Sequence, residues 1–472
     1  MSEKGWARMR SRAGVSRSAS RGRAGGIVGL VVLVLVVWFQ IPGVAAADEP
    51  PTYSGAVPLT PPGLGTIFGG YVLGTFRDGR LATGQEDFEG LAADDPFYVE
   101  PSISQDVKPG TLLKAKRFDV LFAGVKPAHV AAYKIMYVTE NVRGRKVIST
   151  GVVMIPEDGK PNGSRSVVAY QEANDSVGAK CHPSTQWSGG ALGEASAWSA
   201  LGPLALMFQR GLAVVISDIG NDADPSPHGV FAGKFAGHAL LDGVRAAYRV
   251  GPAALNPRNP VGIFGVAGGG VGAGFAAENV ARYAPEINLK ATMLEGMAVE
   301  QKNFIRFADG RLGTGFVFAT LLGLEAQYPE MALDAKLNPA GRALADVYRK
   351  SCQMAYFGMP PLVPLKTLFT SGQAPADIPE FAHVYRDNTL GHGDRPRGKV
   401  LVSACNADNS FMSLIPAADS KNLVTRYVQQ GADAQYYGMY CGMDVFVTNI
   451  YKWGTELFGM HTVDWLATEL NS

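Results

Sequence analysis

Between Val261 and Gly274 the chain reads Val-Gly-Ile-Phe-Gly-Val-Ala-Gly-Gly-Gly-Val-Gly-Ala-Gly, a short apolar strand entering a helix through a glycine-rich turn. Residues this small let a strand and the helix after it lie together with little side chain between them. The junction sits in a longer alternation. Ala239–Val250 and Val271–Tyr283 have helical spacing, while Val261–Val266 and Leu289–Leu294 read as strands. Alternating strands and helices predict an α/β fold with a mostly parallel central sheet and helices on both faces.

The surrounding segments extend that pattern. Ala131–Thr139, Val147–Met154, Ser166–Tyr170 and Leu212–Ser217 are β-branched runs, and the first two suit a hairpin across Glu140–Arg145. Late in the chain come a strand at Lys399–Ser403, a helix at Lys421–Gln430, a strand at Ala434–Tyr437 and a helix at Thr462–Leu470. Residues 298–393 interrupt the alternation with helical patterns at Gly315–Leu324 and Ala340–Phe357 and with Pro360, Pro361, Pro364 and Pro375. They read as a helical cap inserted between residues 111–297 and 394–472, which form the two parts of the core. Residues 48–110, rich in Pro, Gly and Asp, read as an N-terminal arm.

Composition narrows the class. With 47% hydrophobic and 18% charged residues the chain can bury a core, so disorder is excluded. A net charge of +1 over 472 residues supplies no field for nucleic acid. The charge is uneven: residues 1–47 carry seven basic side chains and one acidic, whereas residues 48–472 carry 36 basic and 41 acidic. The basic stretch is followed by the apolar run Ile27–Phe39 and by Ala45-Ala46-Ala47. Thirteen apolar residues fall short of the roughly 20 that span a bilayer. Residues 1–47 are therefore expected to be a secretory signal peptide, with an uncleaved anchor as the alternative. Export gives meaning to Cys181, Cys352, Cys405 and Cys441, an even number that predicts two disulfides. Spacing leaves all three pairings open. No CxxC or HExxH occurs, and neither metal nor cofactor is expected.

The chemistry should gather at the glycine-rich turn. Gly265-Val266-Ala267-Gly268-Gly269 has the layout of a nucleophile elbow, G-x-S-x-G, but places alanine where serine attacks. A methyl group has no lone pair and cannot serve as a nucleophile. A second motif overlaps it. Gly272, Gly274 and Ala277 fit G-x-G-x-x-A, with Glu295 about 20 residues on, as in a dinucleotide fingerprint. That match begins inside the helix, whereas a phosphate loop must lie at the helix start.

Several stretches together resemble the secretory lipases, α/β-hydrolases related to yeast lipase A. They are Asp95-Pro-Phe-Tyr98, Pro109-Gly-Thr111, Asp175-Ser176, Cys181-His-Pro-Ser184, Arg210–Val215 with Asp218, Leu241–Ala247, Ala276-Ala-Glu278 and Tyr283–Glu286. The resemblance covers most of residues 96–470. It implies an α/β-hydrolase fold, a cap, and catalytic residues in the order Ser, Asp, His. By the same resemblance Ala267 holds the nucleophile position, Asp175 and Gly268 the oxyanion hole, and Asp408 the acid position, with Pro416 standing for a following proline. Asp408 read alone is equally a strand-end turn residue. The histidine is expected in the loop Gly438–Phe446, which contains none, and His461 comes late. The family pattern further implies Cys181–Cys352 and Cys405–Cys441 bridges. Ser176, Asp444, His182 and His228 are the nearest substitutes, although nothing in their spacing assigns them a role.

Two of three triad roles thus stand empty. The expectation is an exported homologue without catalysis that binds a lipid or acyl ester in the capped pocket and contacts a membrane or the cell envelope. The alternative is an active carboxylic-ester hydrolase or triacylglycerol lipase using non-standard residues.

Overall fold

A computed structural model describes residues 49–53, 80–87, 95–122, 125–190, 195–221, 228–358, 363–406, 408, 413–448, 459 and 462–472. The expected signal segment and His461 lie outside the described residues. The central sheet has nine strands: β1 (Leu112–Phe118), β2 (Val130–Glu140), β3 (Lys146–Pro156), β4 (Val167–Gln171), β5 (Ala213–Ser217), β6 (Val261–Val266), β7 (Leu289–Glu295), β8 (Lys399–Cys405) and β9 (Asp433–Met439). Their spatial order is β9-β8-β7-β6-β4-β5-β3-β2-β1. From β5 to β9 every pairing is parallel, and β1, β2 and β3 join antiparallel at one end. The hairpin between β2 and β3 pairs Glu140 with Lys146, so the turn falls at Asn141–Arg145.

The strand sequences explain why the sheet is buried on both faces. Along β5, Ala213 and Val215 enter one apolar cluster, while Val214 and Ile216 enter the other. Alternate side chains point to opposite faces, so a strand covered on both sides needs apolar residues throughout. Helices α1 (Ala195–Gln209), α2 (Gly233–Ala247) and α3 (Ala267–Tyr283) follow β4, β5 and β6. Leu204 and Met207 of α1 pack on the second face, and Leu240 and Val244 of α2 on the first. α2 begins six residues before the expected Ala239. Glycine is a poor helix former, but a Cβ on Gly237 would stand 2.7 Å from the Ala276 backbone nitrogen. Close packing of α2 on α3 therefore outweighs local propensity.

The cap contains α4 (Gln301–Ala308), α5 (Thr314–Gln327), α6 (Pro339–Tyr348) and α7 (Ala382–Asp387). The single helix expected over Ala340–Phe357 is two pieces. α6 ends at Tyr348, and a 3₁₀ segment runs from Gln353 to Gly358. Cys352, in the gap, is bonded to Cys181. The chain closes with α8 (Ala417–Gln429), α9 (Met443–Thr448) and α10 (Thr462–Leu470). Leu466 and Leu470 of α10 join the same cluster as α1. The described arm residues are tied to the sheet. Thr52 bridges Tyr436 on the edge strand β9, and Phe97 and Tyr98 are buried with Met136 and Ile148. No described helix is long and apolar enough to cross a membrane.

Candidate functional site

Ligand sites in open α/β sheets form beyond the carboxyl ends of the strands. Here the segments leaving β4, β6, β7, β8 and β9 supply one wall of a cavity of about 300 Å³. Ala173 and Asp175 follow β4, Ala267 follows β6 and Gly296 follows β7, while Cys405 and Met439 end β8 and β9. The cap provides Leu312, Phe316, Gln353 and Phe357, and Ser413, Leu414 and Ile415 come from the segment before α8. The lining is mainly aliphatic and aromatic. Asp175 is its one ionisable side chain among the described residues.

The elbow is present in backbone form. β6 ends at Val266, and Ala267 opens α3 with φ +51°, in the left-handed region. A residue bearing a Cβ is placed there at a cost of about 1–2 kcal/mol. The flanking glycines are sterically required. A Cβ on Gly265 would lie 2.3 Å from the Ala273 methyl, and one on Gly269 would lie 2.2 Å from the Glu172 carbonyl oxygen. The turn thus keeps the strain and tightness that expose a nucleophile, yet it presents a methyl group to the cavity.

Asp175 reaches the elbow from the loop after β4. A Cβ on Gly268 would lie 1.7 Å from its Oδ1, so the carboxylate rests against the Gly268 α-carbon. The Gln353 amide donates to its Oδ2 at 3.2 Å. Two local devices hold this loop. Asn174 donates to the Cys181 carbonyl at 3.1 Å and accepts from the Ser176 N–H at 2.9 Å. The Cys181–Cys352 disulfide, with 5.3 Å between α-carbons, then fixes the loop to the cap immediately before Gln353. The Cys405–Cys441 disulfide ties the end of β8 to the segment after β9.

The other expected residues do not line this cavity. Asp408 is exposed, and its Oδ1 accepts the Ala417 N–H at 2.7 Å, so it caps the start of α8. Pro416 directly precedes that helix. Asp444 is exposed and accepts the Tyr440 hydroxyl at 2.9 Å. Ser176 is fully buried outside the cavity wall. His182 and His228 stack with 3.7 Å between ring centres, both buried. The His228 ring nitrogens face the Asp218 and Asn221 carbonyls at 3.2 Å each. Burial and the neighbouring imidazole push the His182 pKa well below its ordinary value. Of the seven histidines, the six that are described all lie off the cavity wall.

The dinucleotide motif is a packing feature. Gly272 and Gly274 lie within α3, where added Cβ atoms would meet Ala236 and Leu390 at 2.7 Å. Glu295 is buried and accepts the Thr462 hydroxyl at 3.2 Å. Sequence reading overlooked Gln353, Phe316, Phe357 and Ser413–Ile415. Only Gln353 carried a signal, through its place beside Cys352.

Sheet, cap and elbow together define an α/β-hydrolase. A model of the secretory lipase family matches residues 201–445, and the chain belongs to that family. It is 28% identical to the "Probable inactive lipase MT1628" of Mycobacterium tuberculosis, over 74% of this chain and 77% of that protein. It is 30% identical to the "Secreted triacylglycerol lipase LIP2" of Malassezia furfur, over 55% of this chain and 54% of that protein. Among solved structures, Candida antarctica lipase A in its closed state matches with TM-score 0.63 and 20% identity, over 79% of this chain and 87% of that one. At that identity the likeness concerns the fold.

Proposed function

We propose that this chain is an exported secretory-lipase homologue that has lost ester hydrolysis and uses the capped cavity to bind a lipid or acyl-ester ligand. The observation that carries the proposal is Ala267, held at the elbow with φ +51° and facing a largely apolar cavity. The elbow geometry has been kept while its nucleophile is gone. None of the six described histidines stands on the wall to act as base. Losses at both positions point away from a single incidental change. The relative named a probable inactive lipase supports the silent reading, and the relatives named triacylglycerol lipases support a lipid-like ligand.

Export is supported by the two disulfides and by the basic-then-apolar segment of residues 1–47. Contact with a membrane or the cell envelope belongs to the same reading, because such a ligand is found there. In this account Asp175 and Gly268 retain the oxyanion-side geometry, Ala267 occupies the former nucleophile position and Asp408 the former acid position.

Binding is tested with Nile red, an uncharged lipid-like dye. Saturable fluorescence enhancement that is lost in Phe316→Ala/Phe357→Ala supports the proposal. Saturation unaffected by that double substitution would place the dye elsewhere and count against it.

A further inference from the structure

We infer that Asn162 is a site of self-modification: the Gly163 nitrogen closes a cyclic imide on its side chain, ammonia is expelled, an aspartyl or isoaspartyl residue remains, and the Arg165 guanidinium assists the closure. The site lies in the turn between β3 and β4, at the amino end of β4. The inference is independent of what the cavity binds.

The sequence limits where such a ring can close. The attacking group is the backbone nitrogen of the following residue, and a side chain there crowds it. Asn162-Gly163 is the single Asn-Gly pair in the chain. Asn256, Asn259 and Asn338 each precede proline, which has no N–H to give up. Asn141 sits in the hairpin turn between β2 and β3, but the branched Val142 follows it. Gly163 has no side chain, is exposed, and donates no backbone hydrogen bond to a described residue. Its turn is one 3₁₀ segment, Asn162–Ser164. Two backbone bonds close it, from the Ser164 N–H to the Pro161 carbonyl at 3.0 Å and from the Arg165 N–H to the Asn162 carbonyl at 3.1 Å. So short and exposed a turn opens locally far more easily than the sheet behind it.

The group that receives the charge is already in place. Arg165 is buried, and its Nε donates to Asn162 Oδ1 at 3.3 Å. Its Nη atoms hold the carbonyls of Pro156, Lys160 and Gly211 at 2.8–3.0 Å, which fixes the guanidinium. The Asp158 carboxylate takes the edge formed by Nη1 and Nη2 and leaves Nε to the amide. As the Gly163 nitrogen bonds to Asn162 Cγ, the carbonyl electrons move onto Oδ1. A fixed, charged donor at that oxygen stabilises the developing charge without reorienting. The amide nitrogen then leaves as ammonia, carrying the proton that Gly163 loses, and the imide closes. Water adds to one of the two imide carbonyl carbons. Opening on one side gives aspartate. Opening on the other gives isoaspartate, in which the main chain runs through the former side chain.

The test is peptide mapping of the purified protein held in mildly alkaline buffer, with fragmentation that separates isoaspartate from aspartate. Gly163→Ala protein and a synthetic peptide spanning Pro156–Val167 are held beside it. A Cβ on Gly163 would meet nothing closer than the Ala254 carbonyl oxygen at 3.6 Å, so that variant should fold. Asn162 should convert before any other asparagine, with isoaspartate among its products. The Gly163→Ala protein should convert at least several-fold more slowly. The folded wild type should convert several-fold faster than the peptide, in which nothing holds the guanidinium in place. An Asn162 that outlasts the other asparagines would overturn the inference, as would a Gly163→Ala protein that converts at the wild-type rate. Aspartate without isoaspartate would mark direct hydrolysis and exclude the ring. Slower conversion in the folded protein than in the peptide would refute the part given to Arg165.

Discussion

Replacing Ala267 with glycine should stabilise the protein. Alanine is held there at φ +51°, and the left-handed region costs an L-residue about 1–2 kcal/mol. Glycine enters the same region freely. Against this gain, glycine makes the unfolded chain more flexible, which costs about 0.4–1 kcal/mol. The methyl group faces the cavity and is only partly buried, so little packing is lost. The balance is a net stabilisation of about 0.5–1 kcal/mol. Equilibrium urea unfolding is the right assay, with an unchanged slope and a raised midpoint. In a chain this long, 1 kcal/mol moves the melting temperature by only about one degree. Gly268→Ala is the matched control of opposite sign. Its Cβ would fall 1.7 Å from Asp175 Oδ1, and relieving that overlap should cost about 1–3 kcal/mol. An Ala267→Gly protein less stable than wild type would refute the reasoning, because the elbow would then carry no strain to release.

Further outcomes follow from the same geometry. Ala267→Ser should leave p-nitrophenyl ester hydrolysis at the wild-type level, because no described histidine stands on the cavity wall to activate the new hydroxyl. The Cys181–Cys352 bridge spans 171 residues and the Cys405–Cys441 bridge 36. On loop entropy alone, paired Cys→Ser substitutions should lower urea-unfolding stability by about 5 and 4 kcal/mol respectively, the first pair costing more. Burial lowers the His238 pKa to about 3, so the folded chain resists a proton that the unfolded chain accepts near 6.5. Its stabilising effect is present above pH 6.5 and is lost as pH falls. His238→Gln should flatten the decline in urea-unfolding free energy between pH 6.5 and 5 by about 2 kcal/mol relative to wild type.

Much of this fold could be read from the sequence because it is written in strands. The strand expected at Val261–Val266 is β6 to the residue, and the other expected strands differ from the structure by one or two residues at most ends. Such segments are apolar throughout because both faces are covered, and that signal survives without context. Helices were harder to read where their residues serve packing. α1 contains Pro203 and was not anticipated, and Gly233 and Gly237 concealed the start of α2. At the site, the tight strand-to-helix turn at Ala267 was legible because sterics dictate the glycines at 265 and 269. The cap's contribution was not. Phe316, Phe357 and Ser413–Ile415 come from irregular or purely apolar stretches, and only the folded chain shows that they face one cavity. For Asp408 the order of residues suggested an acid position, while only the folded chain shows that its carboxylate accepts the Ala417 N–H at the start of α8.

The central claim is that a lipase framework persists here without its chemistry. The most direct measurement is hydrolysis of short- and long-chain p-nitrophenyl esters by the purified protein, beside an active family member. The account predicts release of p-nitrophenol at the spontaneous rate for every chain length. Activity above that rate that survives repurification would contradict it, and Ser176, Asp408, Asp444 and His461 would then be the residues to substitute first.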